Sequence, residues 1–375
     1  VSEIQRQHHM AQELNRENVL AALQGVVEPE LGKDIVTLNF VSELKLSEAA
    51  VEVTVKSSNP AMHARARMQE AVEFALERAF GDQIQATVSI ATLKAEERTP
   101  DTRKVLPGVK HVIAVASGKG GVGKSTVSAN LAVGLAQLGY KVGLCDADIH
   151  GPSVPTMFDV ADDKPEPIEI GERTLIQPIE QYGVKVLSIG FFADPDQAIV
   201  WRGPMASRAL TQLFTDAHWG PLDYMIVDLP PGTGDIHLSL VQQVPLTGAV
   251  VVSTPQEVAL ADARKGVGMF RLDSVNVPVL GLIENMAYFS PPDAPEKRYH
   301  IFGQDGAKRL ASSLDVSFLG ELPLIQSIRE AGDVGRPAVL QGDSDAAAAF
   351  RAVIANLLET MVATKPQPQM ATTDE

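Results

Sequence analysis

Gly118-Lys119-Gly120-Gly121-Val122-Gly123-Lys124-Ser125-Thr126 follows a short apolar run, His111-Val112-Ile113-Ala114-Val115-Ala116. It opens a segment, Thr126 to Leu138, in which Val127, Leu131, Leu135 and Leu138 fall on one helical face before Gly139. Strand, glycine loop and helix in that order form the setting of a phosphate-binding loop. The pattern Gly-x4-Gly-Lys-[Ser/Thr] curls a row of backbone N–H groups around phosphate oxygens, and only glycine turns that tightly without a side chain in the way. Lys124 then reaches the β- and γ-phosphates, the Ser125 hydroxyl ligates Mg²⁺, and the helix N-terminus adds partial positive charge. Gly118 to Thr126 are therefore the expected nucleotide-binding residues.

Three further segments sit just after predicted strands, where ligands of open α/β sheets gather. Cys145-Asp146-Ala147-Asp148-Ile149-His150-Gly151-Pro152-Ser153 places Asp146 near a metal shell and Asp148 where it orients an attacking water and approaches the metal; an aspartate at a strand end also serves as a simple helix cap. Tyr224-Met225-Ile226-Val227-Asp228-Leu229-Pro230-Pro231-Gly232-Thr233-Gly234-Asp235 is an apolar strand ending in an acid and a glycine turn. Asp228 is the expected Mg²⁺ holder through water, and the turn can change conformation when a γ-phosphate leaves. In Gly281-Leu282-Ile283-Glu284-Asn285-Met286, Asn285 offers an amide to an adenine edge, although an Asn after a strand is commonly a turn residue. Catalysis is then phosphoryl transfer to water, through positioning and charge neutralisation by Lys124, Mg²⁺ and Lys119. Lys119 precedes the glycine pair and points away from its own phosphates, so its expected target is the nucleotide of a facing subunit in an ATP-bridged homodimer.

Around this core the chain reads as an α/β protein: a doubly wound, mostly parallel P-loop NTPase sheet with a small N-terminal α/β domain. Residues 15–93 read helix, strand, strand, helix, strand. Val36, Leu38 and Phe40 alternate with polar residues, as do Val51, Val53 and Val55, and Met68, Val72, Leu76 and Ala79 share a helical face between Met62 and Phe80. Residues 94–108, charged and holding Pro100 and Pro107, form a linker. Apolar runs at 111–116, 141–145, 184–189, 223–228, 248–253, 277–283 and 316–319 alternate with helical stretches over 109–362, the pattern of a parallel sheet covered on both faces. Residues 363–375 are expected to be disordered. Lys plus Arg number 32 against 47 Asp plus Glu, a net charge of -15, which disfavours general nucleic-acid and anionic-membrane binding. No uninterrupted apolar stretch of spanning length and no signal-peptide core occur, so a cytoplasmic protein is expected.

The motifs Asp146-Ala147-Asp148-Ile149-His150-Gly151-Pro152-Ser153, Trp201-Arg202-Gly203-Pro204-Met205, Asp228-Leu229-Pro230-Pro231-Gly232-Thr233-Gly234-Asp235 and Glu284-Asn285-Met286 accompany a loop of the deviant Walker A class of MinD, ParA and nitrogenase iron protein. Together they resemble the Mrp/ApbC iron-sulfur cluster carrier family. The N-terminal unit, with Glu28-Pro29-Glu30-Leu31-Gly32, is similar to the iron-sulfur cluster assembly domain often fused there. The resemblance implies ATP hydrolysis, homodimers, and a 4Fe-4S cluster held for delivery to apoprotein recipients. Many members carry Cys-x-x-Cys after Glu-Asn-Met, whereas this chain reads Tyr288-Phe289-Ser290-Pro291-Pro292-Asp293-Ala294-Pro295-Glu296-Lys297-Arg298-Tyr299-His300. The small domain likewise reads Asn59-Pro60-Ala61-Met62-His63 where Pro-x-Cys is usual. Cys145 is the single cysteine, so a homodimer offers two thiols against the four that usually hold a cubane cluster. Cys145 ends an apolar strand, where a small buried residue is the plainer reading; Asp293, Tyr299 and His300 could ligate iron in principle, against the plainer reading of a solvated proline-rich loop, and the cluster ligands stay open at this point.

A nucleotide-switched positioning ATPase of the ParA or MinD kind competes with a cluster-handling one. The former needs a basic amphipathic terminal helix or a basic DNA-facing patch, and Met361 to Glu375 supplies neither the period nor the charge of such a helix. An adaptor in which ATP only gates docking of the small domain is the third alternative.

Overall fold

The computed structural model describes residues 14–29, 31–47, 50–58, 62–81, 84–93, 105–106, 108–171, 173–192, 203–291, 293–294 and 296–363. Expectations placed on residues 1–13, Asn59-Pro60-Ala61, most of the linker, Trp201-Arg202 and the tail beyond 363 lie outside these residues. Contacts divide the chain into two compact units, Val1–Pro107 and Gly108–Glu375.

In the smaller unit, α1 (Arg16–Leu23) is capped by Asn15, whose side chain accepts from the Asn18 N–H at 2.9 Å. The short pair β1 (Val27–Glu28) and β2 (Lys33–Asp34) leads into β3 (Val41–Ser47) and β4 (Ala50–Ser57); α2 (Met62–Phe80) then crosses to β5 (Gln85–Thr92). β4 pairs antiparallel with β3 and parallel with β5. Val51, Val53 and Val55 are buried on one face of β4 against Met68, Val72, Leu76 and Phe80 of α2, so the alternation and the helical period meet in one core. The Val36-Leu38-Phe40 alternation does not form a strand. Asp34 Oδ1 accepts the Val36 and Thr37 N–H groups at 3.1 and 2.8 Å, and Asn39 adopts φ 56°, so the local side-chain bonds close a turn and the strand begins at Val41.

In the larger unit, β6 (Val109–Ser117) runs through the glycine loop into α3 (Lys124–Gln137) and on to β7 (Val142–Asp146). A one-turn helix α4 (Val154–Met157), a ribbon of β8 (Pro167–Ile170) and β9 (Arg173–Ile176), and the edge strand β10 (Ile179–Gln181) precede β11 (Val184–Ser188). The chain continues through α5 (Gly203–Thr215), β12 (Leu222–Asp228), α6 (Asp235–Gln243), β13 (Gly248–Ser253) and α7 (Glu257–Phe270). It ends with β14 (Val279–Glu284), α8 (Gly306–Leu314), β15 (Phe318–Glu321), α9 (Gln326–Asp333) and α10 (Asp345–Ala363).

Among the described residues one sheet takes the order β10-β11-β7-β12-β6-β13-β14-β15, all neighbours parallel except β10 with β11. Each apolar run read from the sequence is one of these strands; β8, β9 and β10, short and largely exposed, carry no such signal. β6 contacts both α3 and α7. The strand order reverses beside β6, which opens a crevice at the carboxyl ends of the strands where the glycine loop emerges.

α3 is buried nearly all round, with Val127, Leu131 and Leu135 fully covered, each contributing about 1.5–3 kcal/mol. Leu138, expected on the same face, caps the helix and is 60% exposed. A Cβ on Gly134 would lie 2.2 Å from Ile354 Cδ1, so this glycine lets α10 pack closely on α3. Asn130 is buried within α3 yet satisfied: its Nδ2 donates to Thr126 O and its Oδ1 accepts the Val339 N–H, both at 2.8 Å. α10 is long and apolar enough by length and composition to cross a membrane, but its stripe Ala346, Phe350, Val353, Ile354, Leu357 and Met361 is buried, with α3, β14 and β15 as neighbours.

Candidate functional site

The loop after β6 turns through Gly121 and Gly123, at φ 81° and 82°, left-handed conformations that favour glycine. Gly123 is the N-cap of α3 and no side chain caps the helix, which leaves its first-turn N–H groups to an anion. Beside them lies a cavity of about 250 Å³ lined by Gly120, Gly121, Gly123, Lys124, Ser125, Thr126 and Asp148, together with Ser117, Gly151, Ser153, Met157 and Pro231.

Two packing contacts set the loop. A Cβ on Gly118 would lie 2.2 Å from the Asp262 carbonyl carbon, so α7 backs directly onto the loop. Asn285, at the end of β14, donates its Nδ2 to Val122 O at 2.8 Å, and a Cβ on Gly123 would come within 2.1 Å of that nitrogen. One N–H of the amide expected at an adenine edge thus ties the loop backbone, while its second N–H and Oδ1 are left for other partners. Gly118, Lys119, Val122 and Asn285 do not line the cavity; Gly118, Val122 and Asn285 shape it from behind.

Register explains the acids. β7 pairs with β12 so that Asp146 stands opposite Asp228, and with β11 so that Ser188 stands opposite Asp146, placing the three in one row at the carboxyl edge. Asp228 Oδ2 accepts from Lys124 Nζ at 2.8 Å and Ser125 Oγ at 2.6 Å, while its Oδ1 accepts from Ser128 Oγ at 2.6 Å. Lys124 Nζ also lies 3.3 Å from Asp148 Oδ2. Burial pulls the Lys124 ammonium down, but Asp228, Asp148 and Asp146 outweigh it and hold it above the usual lysine range.

Asp146, opposite Asp228 in the sheet, also acts as a brace. Its Oδ2 accepts from Ser188 Oγ at 2.9 Å and Val154 N at 3.3 Å, and its Oδ1 from Asp148 N at 3.1 Å, so it shapes the turn that presents Asp148. Burial, and next the Asp228 charge, push Asp146 up to about 7. A carboxyl raised in the fold gains protons on folding below that value, so its contribution to stability grows as pH falls from about 7 toward about 4 and is lost as pH rises through 7. Urea unfolding at pH 5 and pH 8 should show wild type gaining on Asp146→Asn at the lower pH; equal differences at both would contradict the shift.

Metal and thiol chemistry separate cleanly. Ser125 Oγ, Asp228 and Asp148 surround one ammonium with hard oxygen donors, a set suited to Mg²⁺, which takes few protein carboxylates and shares substrate phosphates and water. Among the described residues no three His, Cys, Asp or Glu side chains form a metal cage. Cys145 lies in β7 between Leu187 and Val227, fully buried, and burial followed by the Asp146 and Asp228 charges pushes its thiol well above the usual range. Around the missing Cys-x-x-Cys, Phe289 and Tyr299 exchange backbone bonds at 2.9 and 2.8 Å, His300 Nδ1 meets Ala287 O at 3.1 Å, and Arg298 lies 4.1 Å over Tyr288. Among the described residues, Asp293 and His300 belong to no group of three His, Cys, Asp or Glu side chains able to hold a metal.

Ser128, Ser188 and Pro231 were not singled out from the sequence. Ser128 was legible: it is four residues from Lys124 on the same helical face. Ser188 was not, because only the sheet register brings it to Asp146.

The family model described as NUBPL iron-transfer P-loop NTPase matches residues 108–358, and that described as iron-sulfur cluster assembly protein matches residues 16–90. The chain is 43% identical over 342 residues to the iron-sulfur cluster carrier protein of Synechocystis sp., covering 91% of this chain and 96% of the relative. It is 53% identical over 266 residues to the iron-sulfur cluster carrier protein of Aquifex aeolicus, covering 70% and 71%. A nucleotide-binding protein from Archaeoglobus fulgidus, solved in complex with ADP, aligns with a TM-score of 0.54 at 39% identity over 62% of this chain and 88% of that one.

Proposed function

We propose, from the premise that this chain belongs to the NUBPL iron-transfer P-loop NTPase family, that it is an ATP-hydrolysing protein that transfers iron-sulfur clusters to apoproteins. The observation that carries the hydrolytic half is the convergence of Lys124, Ser125 and Asp228 beneath an uncapped helix N-terminus. Lys124 exchanges its carboxylate partners for the β- and γ-phosphates, and the loop N–H groups bind the same oxygens. Ser125, Asp148 and Asp228 are the residues that would hold Mg²⁺. Bound there, the ion supplies Lewis-acid neutralisation of the phosphate oxygens. Asp148, fixed by the His150 N–H on its Oδ1 at 3.1 Å, orients the attacking water.

Lys119 makes no ion pair among the described residues and does not line its own cavity. This supports its reach toward the nucleotide of a second copy, in a homodimer. The net charge of -15 favours protein recipients over nucleic acid.

The cluster is cargo, and Cys145 is too deeply buried to hold it. The test is reactivation of an apo [4Fe-4S] acceptor enzyme by protein loaded anaerobically with iron and sulfide, with and without MgATP. Acceptor activity should return faster with the protein, and MgATP should change the rate. Cys145→Ser should transfer as wild type does. Absence of any stimulation would overturn the transfer role, and loss in Cys145→Ser would overturn the exclusion of that thiol.

A further inference from the structure

His237 stands in the first turn of α6, directly after the Leu229–Gly234 turn, and is 2% exposed. Its Nδ1 lies 3.0 Å from the Pro230 carbonyl oxygen, and its ring meets Phe270 of α7 edge-on, centroids 6.1 Å apart at 62°. A carbonyl only accepts, so Nδ1 carries the proton and the neutral ring is the Nδ1–H tautomer. Nε2 is then a buried acceptor with no donor among the described residues. Burial lowers the imidazole to about 4, against the Pro230 bond and reinforced by the Lys124 charge, so the ring stays neutral at working pH.

The bond reaches the nucleotide cavity in one step. Pro230 is joined to Pro231, which lines the cavity, and the next residue, Gly232, at φ 89°, donates its N–H to Ser117 O at 2.9 Å at the base of the phosphate loop. The turn is therefore pinned at Pro230 by α6 and at Gly232 by β6. Phe270 belongs to the helix whose backbone supports Gly118, so the ring rests on the element that also backs the loop.

We propose that His237 is a positioning residue for nucleotide hydrolysis, holding the Pro231 wall of the cavity through its bond to the Pro230 carbonyl. This rests on the hydrolytic function proposed above. His237 touches no reacting atom; it sets where the wall stands when the triphosphate is in place, and misplacement of such a wall by a fraction of an ångström lowers turnover.

The experiment compares wild type with His237→Leu, His237→Asn and His237→Gln. The Asn amide nitrogen falls near the position of Nδ1, whereas the Gln amide reaches toward that of Nε2. His237→Leu should lose about tenfold in kcat while the Kd for a fluorescent ADP analogue stays within about twofold. Asn should restore kcat and Gln should not. The pH profile of kcat should keep its shape in the Asn variant, since a positioning residue transfers no proton. Hydrogen exchange of the Gly232 amide in the nucleotide-free protein should quicken in the Leu variant and stay slow in the Asn variant. Wild-type kcat in His237→Leu, or Asn as impaired as Leu, would overturn the proposal. If wild type itself fails to hydrolyse ATP, the hydrolytic function falls, and exchange at Gly232 still decides whether His237 holds the turn.

Discussion

Lys124→Ala should eliminate measurable ATP hydrolysis and also destabilise the nucleotide-free protein. The two losses have separate causes. Lys124 is 6% exposed, 2.8 Å from Asp228 and 3.3 Å from Asp148, and Asp228 is fully buried. Removing the only cation in contact with these carboxylates among the described residues leaves buried charge uncompensated, which costs about 3–5 kcal/mol. Turnover falls because the transferring phosphoryl group loses its fixed cation, an effect of about 10²–10³-fold or more. Thermal unfolding should show the stability deficit at pH 8 and a smaller one at pH 5, where raised carboxyls such as Asp146 take up protons. Added ADP should raise the unfolding temperature of wild type and leave the variant unmoved. Unaltered unfolding would mean that the buried triad is not a charge-balanced unit, and turnover within tenfold of wild type would remove Lys124 from the phosphate site.

Asp148→Ala should give the second large effect, with the opposite signature. Asp148 shares Lys124 with Asp228 at the longer distance, 3.3 against 2.8 Å, so Lys124 stays anchored when Asp148 is removed. The loop N–H groups, Ser125 and Asp228 are untouched, and nucleotide affinity should change by no more than a few-fold. Hydrolysis should fall by about 10²–10⁴-fold, the usual worth of a group that positions or deprotonates a nucleophile. On the proposed ATP-bridged homodimer, the variant should accumulate as a nucleotide-bound dimer in sedimentation, since hydrolysis is the step it loses. Wild-type turnover in Asp148→Ala would remove the water-positioning role, and lost nucleotide binding would place Asp148 in the binding set instead.

Much of the site was legible because its chemistry lies in contiguous residues. Gly120 to Thr126 line the cavity together, apart from Val122, since a loop and the helix it starts keep neighbours in sequence as neighbours in space. Asp228 and Asp148 were legible because each closes or follows an apolar strand at the edge where ligands bind. What the sequence left open shares one cause as well. Asp146 and Asn285 sit at equally good strand ends, and nothing local says which way the side chain turns. Asp146 is drawn to Ser188 by the pairing of β7 with β11 and to Val154 by the turn that leads into α4, and Asn285 to Val122 by the placement of β14 near the loop. The Val36-Leu38-Phe40 alternation misled for a local reason, because Asp34 offers the backbone a bond that competes with strand pairing.

The sequence by itself determined that a phosphate-binding loop joins a strand to a helix in a parallel α/β sheet, because backbone curvature at Gly121 and Gly123 and the period of apolar residues are local properties of the chain. It also determined that a single cysteine exists. Only the tertiary structure decided that Cys145 is sealed between β11 and β12, that Asp146 braces while Asp148 faces the cavity, and that His237 supports the wall at Pro231. Those assignments depend on strand order and on which helices meet across the sheet: Cys145 meets Leu187 and Val227, Asp146 meets Ser188, and the His237 ring meets Phe270 of α7, each across tens of positions that no local pattern relates.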